Sequence, residues 1–249
     1  MAVDEALLAD AADNGVATLR LYQWSEPTLS LGYFQRYEDR YQHAASREST
    51  VVRRQSGGGA ILHDRELTYS LALPAAHPLA RHAEQLYTAV HEAVIAVLTP
   101  HIAAAASGLA LRLRCDHSAL PASDEPFLCF QRQARGDLLL VPPTSVPSAE
   151  ADSPRHKILG SAQRRRRGAI LQHGSLLLEK SPAAPELVGL NDLTGTNLTA
   201  AELAGDLPHQ LGVAIQVRLQ KSHLPDEMRR LIAELESRKY GVPAWAKRR

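Results

Sequence analysis

The chain has 249 residues, 45% of them hydrophobic and 22% charged, with a formal net charge of +1. That length and mix fit one large globular domain, and so small a net charge supplies no global field toward nucleic acid or a membrane surface. Two cysteines, Cys115 and Cys129, are too few for a disulfide scaffold and fit a reducing, cytoplasmic setting with free thiols.

The N-terminus, MAVDEALLADAADNG, carries acidic residues and no long apolar core, so it does not read as a signal peptide. Residues 3–13 read as a helix, with Leu7 and Leu8 on its buried face and Asn14-Gly15 as its stop. Residues 17–24 alternate as a half-buried strand, Pro27 breaks the run, and 28–33 resume it. Residues 37–45 form a short helix and 67–73 a strand closed by Pro74. Leu86, Val90, Val94 and Val97 recur at helical spacing within 83–98, and Pro100 is expected to end that helix. No apolar run approaches the ~20 residues that span a bilayer.

Residues 109–114 alternate again, 116–128 are loop-like, and 137–141 form a short strand. Residues 142–155 hold four prolines without apolar periodicity, and are expected to be an exposed insertion. Residues 156–164 and 169–178 form an antiparallel pair turning at the basic run 164–168, and 182–195 are turn-rich. Thr199 and Glu202 make a capping box for a helix to about residue 209. Residues 214–219 read as a strand and 225–240 as a helix with Met228, Leu231, Ile232 and Leu235 on one face; the tail AWAKRR reads as frayed. Strand pairs mixed with helices argue α+β: a largely antiparallel sheet flanked by helices.

Two stretches carry chemistry. In residues 51–64, VVRRQSGGGAILHD, Arg53 and Arg54 precede Ser56 and the glycines Gly57, Gly58 and Gly59, and an apolar run ends in His63 and Asp64. Three glycines weaken a strand or helix, but they let the backbone lie against a ligand with its N–H groups aimed at it. Neighbouring arginines add fixed cationic donors, so the stretch reads as a cradle for an anionic or carbonyl-bearing ligand. A glycine-rich hairpin with solvated arginines is the plainer alternative. Alternation sends Arg53 and Arg54 to opposite faces. In residues 156–175, HKILGSAQRRRRGAILQHGS, Lys157 opens an apolar strand, Gly160, Ser161 and Ala162 follow, and His173 and Gly174 lie across the predicted turn. A lysine beside a packed strand is partly desolvated and gives up its proton more readily than a solvated edge lysine. Cys129 is either an inert core thiol or a nucleophile that needs a nearby cation, for which Lys157 is a candidate.

RRQSGGGAILHD followed by KILGSAQRRRRGAILQHGS resembles the paired signature of the lipoate–biotin protein ligase superfamily. DEALL, LRLYQW, LSLGYFQ and ESRKYG extend the likeness over essentially the whole chain. The resemblance implies an α+β catalytic domain with a central mixed, largely antiparallel sheet, related to class II aminoacyl-tRNA synthetases. It would fill residues 1–249 as a single domain without a C-terminal accessory domain. Ligases of the superfamily activate lipoate with ATP, whereas its octanoyltransferases carry octanoate from acyl carrier protein on an enzyme cysteine. The segment Leu128-Cys129-Phe130 and the GSAQ and QHGS wording resemble the octanoyltransferases that look like lipoate-protein ligase A. In that type a serine- and tyrosine-bearing segment with a Glu links cysteine to lysine. Here residues 131–137 read QRQARGD, with Asp137 in the place of the Glu.

The resemblance implies Cys129 as nucleophile and Lys157 as its stabiliser or proton shuttle. Amides of residues 57–59 or 160–162 would hold the oxyanion. Arg53, Arg54, Ser56, His63, Asp64, His173 and Gly174 would shape the substrate site, with His63 and Asp64 as its far wall or as a plain turn cap, and Ala60, Ile61 and Leu71 are either lining of a tunnel for the acyl tail or plain core. The donor would be octanoyl-acyl carrier protein. The acceptor would be a lipoyl-domain protein of the glycine cleavage H protein or 2-oxoacid dehydrogenase E2 type. The arginines at 164–167 are either a solvated hairpin tip or a docking rim for such acidic proteins. No cofactor, metal, nucleic acid or membrane enters this scheme. A ligase using ATP and magnesium is one alternative. A non-catalytic binder of acyl groups or lipoyl domains is another, motivated by the divergent 131–137 segment.

Overall fold

The computed structural model describes residues 1–105, 107–115, 125–142 and 155–248, and its strands form two sheets. Helix α1 (Ala2–Asp13) leads into β1 (Thr18–Tyr22), β2 (Thr28–Leu31), β3 (Thr50–Arg53), β4 (Ile61–His63) and β5 (Glu66–Leu73). Helix α2 (Ala83–Ala104) precedes β6 (Ala110–Leu113), β7 (Leu138–Val141), β8 (His156–Arg166) and β9 (Ala169–Leu177). Helices α3 (Leu190–Thr194), α4 (Ala200–Ala214), α5 (Asp226–Leu235) and α6 (Pro243–Ala246) follow. The larger sheet runs β1-β5-β9-β8-β7-β6 and is antiparallel throughout. In the smaller, β3-β2-β4, β2 is parallel to β3 and antiparallel to β4. The fold is α+β, as expected, and its mixed character is confined to the small sheet.

Alternation along β5 and β9 dresses both faces of the larger sheet. Leu71, Leu73 and Ile170 enter a core with Leu86 and Val90 of α2 and Leu203 of α4. Ala72, Ala169 and Leu171 meet Leu7 and Leu8 of α1 and Met228 of α5. Burying one leucine is worth roughly 1.5–3 kcal/mol, so these two layers hold the sheet between its helices. Helix α2 is long and apolar enough to pass for a membrane span by length and composition. Its stripe of Leu86, Val90, Val94 and Leu98 is instead packed in the core.

Several expectations yield to packing. Pro100 does not end α2, which runs on to Ala104 because Ile102 beyond the proline is anchored in the core. Helix α4 likewise passes through Pro208, since Leu203, Leu207 and Leu211 all pack inward. The strand expected at 214–219 does not form: Ile215 caps α4, Gln216 takes a φ of 55°, and Val217 N–H closes back onto Gly212 O. A left-handed residue cannot continue a strand. The strands β3 and β4 flanking the glycines do not pair with each other; each lies against β2. The insertion expected at 142–155 lies, but for its two end residues, outside the described residues.

The C-terminal segment is docked rather than frayed. Trp245 Nε1 donates to Arg53 O at 2.9 Å, and Arg53 Nε and Nη2 donate to Ala246 O at 3.0 and 2.8 Å. Arg53 is buried, so these carbonyl contacts replace water that its guanidinium has lost. Removing residues 243–249 should therefore lower the unfolding free energy by about 3 kcal/mol, measured by urea titration.

Candidate active site

A bulge decides which way Lys157 faces. Strict alternation would group it with Leu159 and Ser161, which point toward α2. The β7–β8 register slips here: Leu138 lies opposite Leu159, but Leu139 lies opposite Lys157. The extra residue, Ile158, stays with Leu159 in the α2-side core. Lys157 is thereby turned to the other face, over Gly160, as bulges commonly re-aim a side chain. A methyl group on Gly160 would lie 2.4 Å from Lys157 Cε and 2.8 Å from Nζ, so glycine leaves room for the ammonium.

Cys129 opens a short 3-10 turn, Cys129–Gln131, beside the smaller sheet. Its N–H donates to Ala60 O at 2.7 Å, and Ala60 N–H donates to Phe127 O at 3.1 Å, which ties the cysteine to the end of the glycine loop. Lys157 Nζ stands 3.8 Å from Cys129 Sγ, 3.3 Å from Cys129 O and 2.8 Å from Asp137 Oδ2. An ammonium has three protons, and these three acceptors take them. Asp137 is buried and also accepts from Ala134 N–H at 2.6 Å and from the Tyr87 hydroxyl at 2.7 Å.

Asp137 pairs with Lys157, whereas Arg54 has no carboxylate partner among the described residues. Its Nη1 donates to Ser30 O, and its Nη2 to Gly57 O and Gly59 O, at 2.7–2.8 Å. It is 1% exposed and, among the described residues, its Nε has no hydrogen-bond partner. Burial draws its pKa down to about 10, with Cys129 pulling the other way, so it stays cationic at neutral pH. By holding loop carbonyls, Arg54 leaves the amides of Gly57, Gly58 and Gly59 without a backbone partner among the described residues. Between the loop and the larger sheet lies a cavity of about 50 Å³, bordered by Cys129, Gly58, Gly160, Ala162 and His173. A wider cleft of about 670 Å³ between α2 and β6 borders neither Cys129 nor Lys157.

The model of the lipoyl protein ligase A/B catalytic domain matches residues 1–185. The octanoyltransferase LipM of Kyrpidia tusciae is 33% identical over 98% of this chain and 92% of its own length. That of Staphylococcus epidermidis is 30% identical over 100% and 94%. This chain belongs to the lipoyl protein ligase A/B catalytic-domain family. Solved structures share the fold. One is a bi-partite lipoate protein ligase from Thermoplasma acidophilum, with a TM-score of 0.67 at 18% identity, covering 99% of this chain and 89% of that one. Another is a lipoate-protein ligase A bound with ATP, with a TM-score of 0.65 at 18% identity, covering 99% and 92%.

Within this member of the family, the residues singled out in the sequence divide. Arg54, Gly57, Gly58, Ile61, His63, Cys129, Gly160, Ser161, Ala162, His173 and Gly174 all border the cavity. Arg53 does not; it donates to Gly32 O, Gln35 O and Ala246 O. Asp64 also lies elsewhere, accepting from Ser181 Oγ at 2.7 Å. A Cβ on Gly59 would meet the Arg132 guanidinium at 2.9 Å, so that glycine serves packing beside the loop. Ser56 turns its hydroxyl to His173 Nε2 at 2.6 Å, and His173 Nδ1 faces Asp4 at 3.4 Å. Leu71 and Ala60 belong to separate cores away from the cavity. The Ser161 amide donates to Tyr87 and is not free for an oxyanion. The basic run is a largely exposed hairpin tip, where Arg165 donates to Ala80 O and Arg167 pairs with Asp13 at 2.6 Å. Among the described residues, no cluster of three or more metal-ligating side chains occurs.

Asp4, Trp24, Glu66, Tyr87 and His91 carry polar contacts that pattern reading left unremarked. His63 stacks on Trp24 at 4.3 Å and meets Glu66 at 2.6 Å. Tyr87 and His91 sit four apart on α2, a spacing that puts both on one helix face and was the available signal. His91 is buried, with Nδ1 2.8 Å from Gly136 O and Nε2 2.7 Å from Ser161 Oγ. Burial lowers its pKa from 6.5 to about 4, so the folded protein holds it neutral. In the unfolded chain it binds a proton first, so stability is lost as pH falls from 6.5 toward about 4 and levels off below. That loss should be roughly 3 kcal/mol. Urea midpoints measured across this range should fall more steeply for the wild type than for His91→Gln.

Proposed function

We propose that this protein is an octanoyltransferase that carries its acyl group as a thioester on Cys129 and delivers it to the lysine of a lipoyl-domain protein. The observation that carries this reading is the 3.8 Å approach of the Lys157 ammonium to Cys129 Sγ, in a frame set by Asp137. Relatives named octanoyltransferase, aligned over nearly the whole chain, support it.

The cycle follows from the geometry. The Cys129 thiolate, stabilised by Lys157, attacks the carbonyl carbon of octanoyl-acyl carrier protein. The new C–S bond forms as the carbonyl oxygen takes up negative charge. Amides of residues 57–59 and the nearby Arg54 charge would hold it; losing one such donor typically costs ~3 kcal/mol. The oxyanion collapses, the carrier thiolate leaves, and it takes a proton from solvent. A neutral lysine amine of the lipoyl domain then attacks the thioester carbon. The C–N bond forms, the bond to Cys129 breaks, the surplus amine proton goes to solvent, and the thiolate returns to Lys157. An acyl bond is exchanged at each step, so this route calls for no ATP.

The deciding experiment is intact mass after mixing the protein with octanoyl-acyl carrier protein without ATP. One octanoyl group, released by hydroxylamine and absent in Cys129→Ser, is the expected result. A gain only from free octanoate or lipoate with ATP would make the protein a ligase, and no gain under either condition a binder. In the same assay, Gly160→Ala should displace the ammonium from Asp137 and cut turnover by about 100-fold, with a lower melting temperature from the disturbed buried pair.

A further inference from the structure

We infer that Tyr87 and His91 of α2 are positioning residues for the reacting pair, acting through Asp137 and Lys157 from the opposite side of the larger sheet. This rests on the reading that Lys157 serves Cys129.

The direction of each proton can be assigned. The Ser161 N–H donates to the Tyr87 hydroxyl oxygen at 3.0 Å. The hydroxyl's own proton is then directed to Asp137 Oδ1, 2.7 Å away. Asp137 Oδ2 already receives Ala134 N–H and Lys157 Nζ, at 2.6 and 2.8 Å. Both oxygens therefore face donors, which fixes the plane of the carboxylate. Asp137, so held, fixes where Lys157 Nζ sits and the direction in which its remaining protons point, toward Cys129 O and Sγ.

His91 holds the same turn by its backbone. A carbonyl only accepts, so the contact with Gly136 O places the His91 proton on Nδ1. Nε2 then accepts from Ser161 Oγ at 2.7 Å, Ser161 Oγ accepts from Tyr69 at 2.6 Å, and Tyr69 accepts from Gln172 Nε2 at 2.7 Å. Gly136, at φ +87°, lies so close to the Tyr87 ring that a Cβ there would be 2.8 Å from it. The 136–137 turn is thus gripped at its carbonyl by His91 and at its carboxylate by Tyr87. A fully satisfied buried polar chain of this kind specifies geometry rather than adding stability over an apolar core. Here it ends on the ammonium beside Cys129.

The test reads Cys129 directly, in full-length protein carrying Cys115→Ser so that one thiol remains. Iodoacetamide alkylation is followed by intact mass across neutral pH. Tyr87→Phe should slow alkylation at pH 7 about tenfold and move the pH–rate profile to higher pH. In a Lys157→Met background the same substitution should change nothing. A profile that stays in place, whether or not the urea midpoint falls, would show that Tyr87 is core packing and overturn the inference. So would an equal effect in the Lys157→Met background. If Tyr87→Phe does not fold cooperatively, His91→Gln is read in the same way, since glutamine cannot reach Gly136 O and Ser161 Oγ together, and an unmoved profile again overturns it. Alkylation needs no acyl donor. A wild type that takes no octanoyl group therefore sinks the transferase reading while leaving this measurement intact.

Discussion

The buried ion pair between Lys157 and Asp137, 2.8 Å apart, is the constraint around which the site is built. Two charges removed from water cost several kcal/mol each unless geometry and further hydrogen bonds restore what was lost, and breaking such a pair costs 3–5 kcal/mol. The surrounding structure meets that demand piece by piece. Ala134 and Tyr87 donate to the carboxylate. Gly160 leaves the volume the lysine end occupies. The β8 bulge turns the lysine out of the α2-side core and onto the cavity face. The third ammonium proton is left for the Cys129 sulfur.

The two neighbouring arginines show how one pair of like residues can bind two parts of a fold. Arg53 gathers the carbonyls of Gly32, Gln35 and Ala246, which joins the small sheet to the C-terminal segment. Arg54 gathers those of Ser30, Gly57 and Gly59, which shapes the glycine loop and leaves a cation beneath it. Among the described residues, the Arg54 guanidinium meets no carboxylate. Arg54 therefore supplies positive charge next to a cysteine whose lysine neighbour is paired with Asp137.

The fold itself does not choose the chemistry. Lipoate ligases share it at TM-scores of 0.65–0.67 with 18% identity. The side chains set on it here place Cys129 Sγ 3.8 Å from Lys157 Nζ.

Periodicity and turn chemistry alone determined much of this protein: the helices at 3–13 and 83–98, the β8–β9 pair, the capping box at Thr199 and the α+β class. These are local patterns, written by burial on one face of each element. The glycine run and the GSAQ and QHGS segments, singled out because small residues leave backbone open to a ligand, border one cavity. Tertiary structure decided the rest. Pro100 and Pro208 sit inside helices because distant leucines and Ile102 hold those helices in the core, which no local propensity reports. The residues 214–219 have strand-like alternation, but a left-handed Gln216 ends it. The side on which Lys157 points depends on a one-residue slip between β7 and β8, and register is set by two strands together. Tyr87 and His91, some seventy residues from Lys157 in sequence, join the site only when α2 packs against β8. Long-range contact, not residue type, makes them part of it.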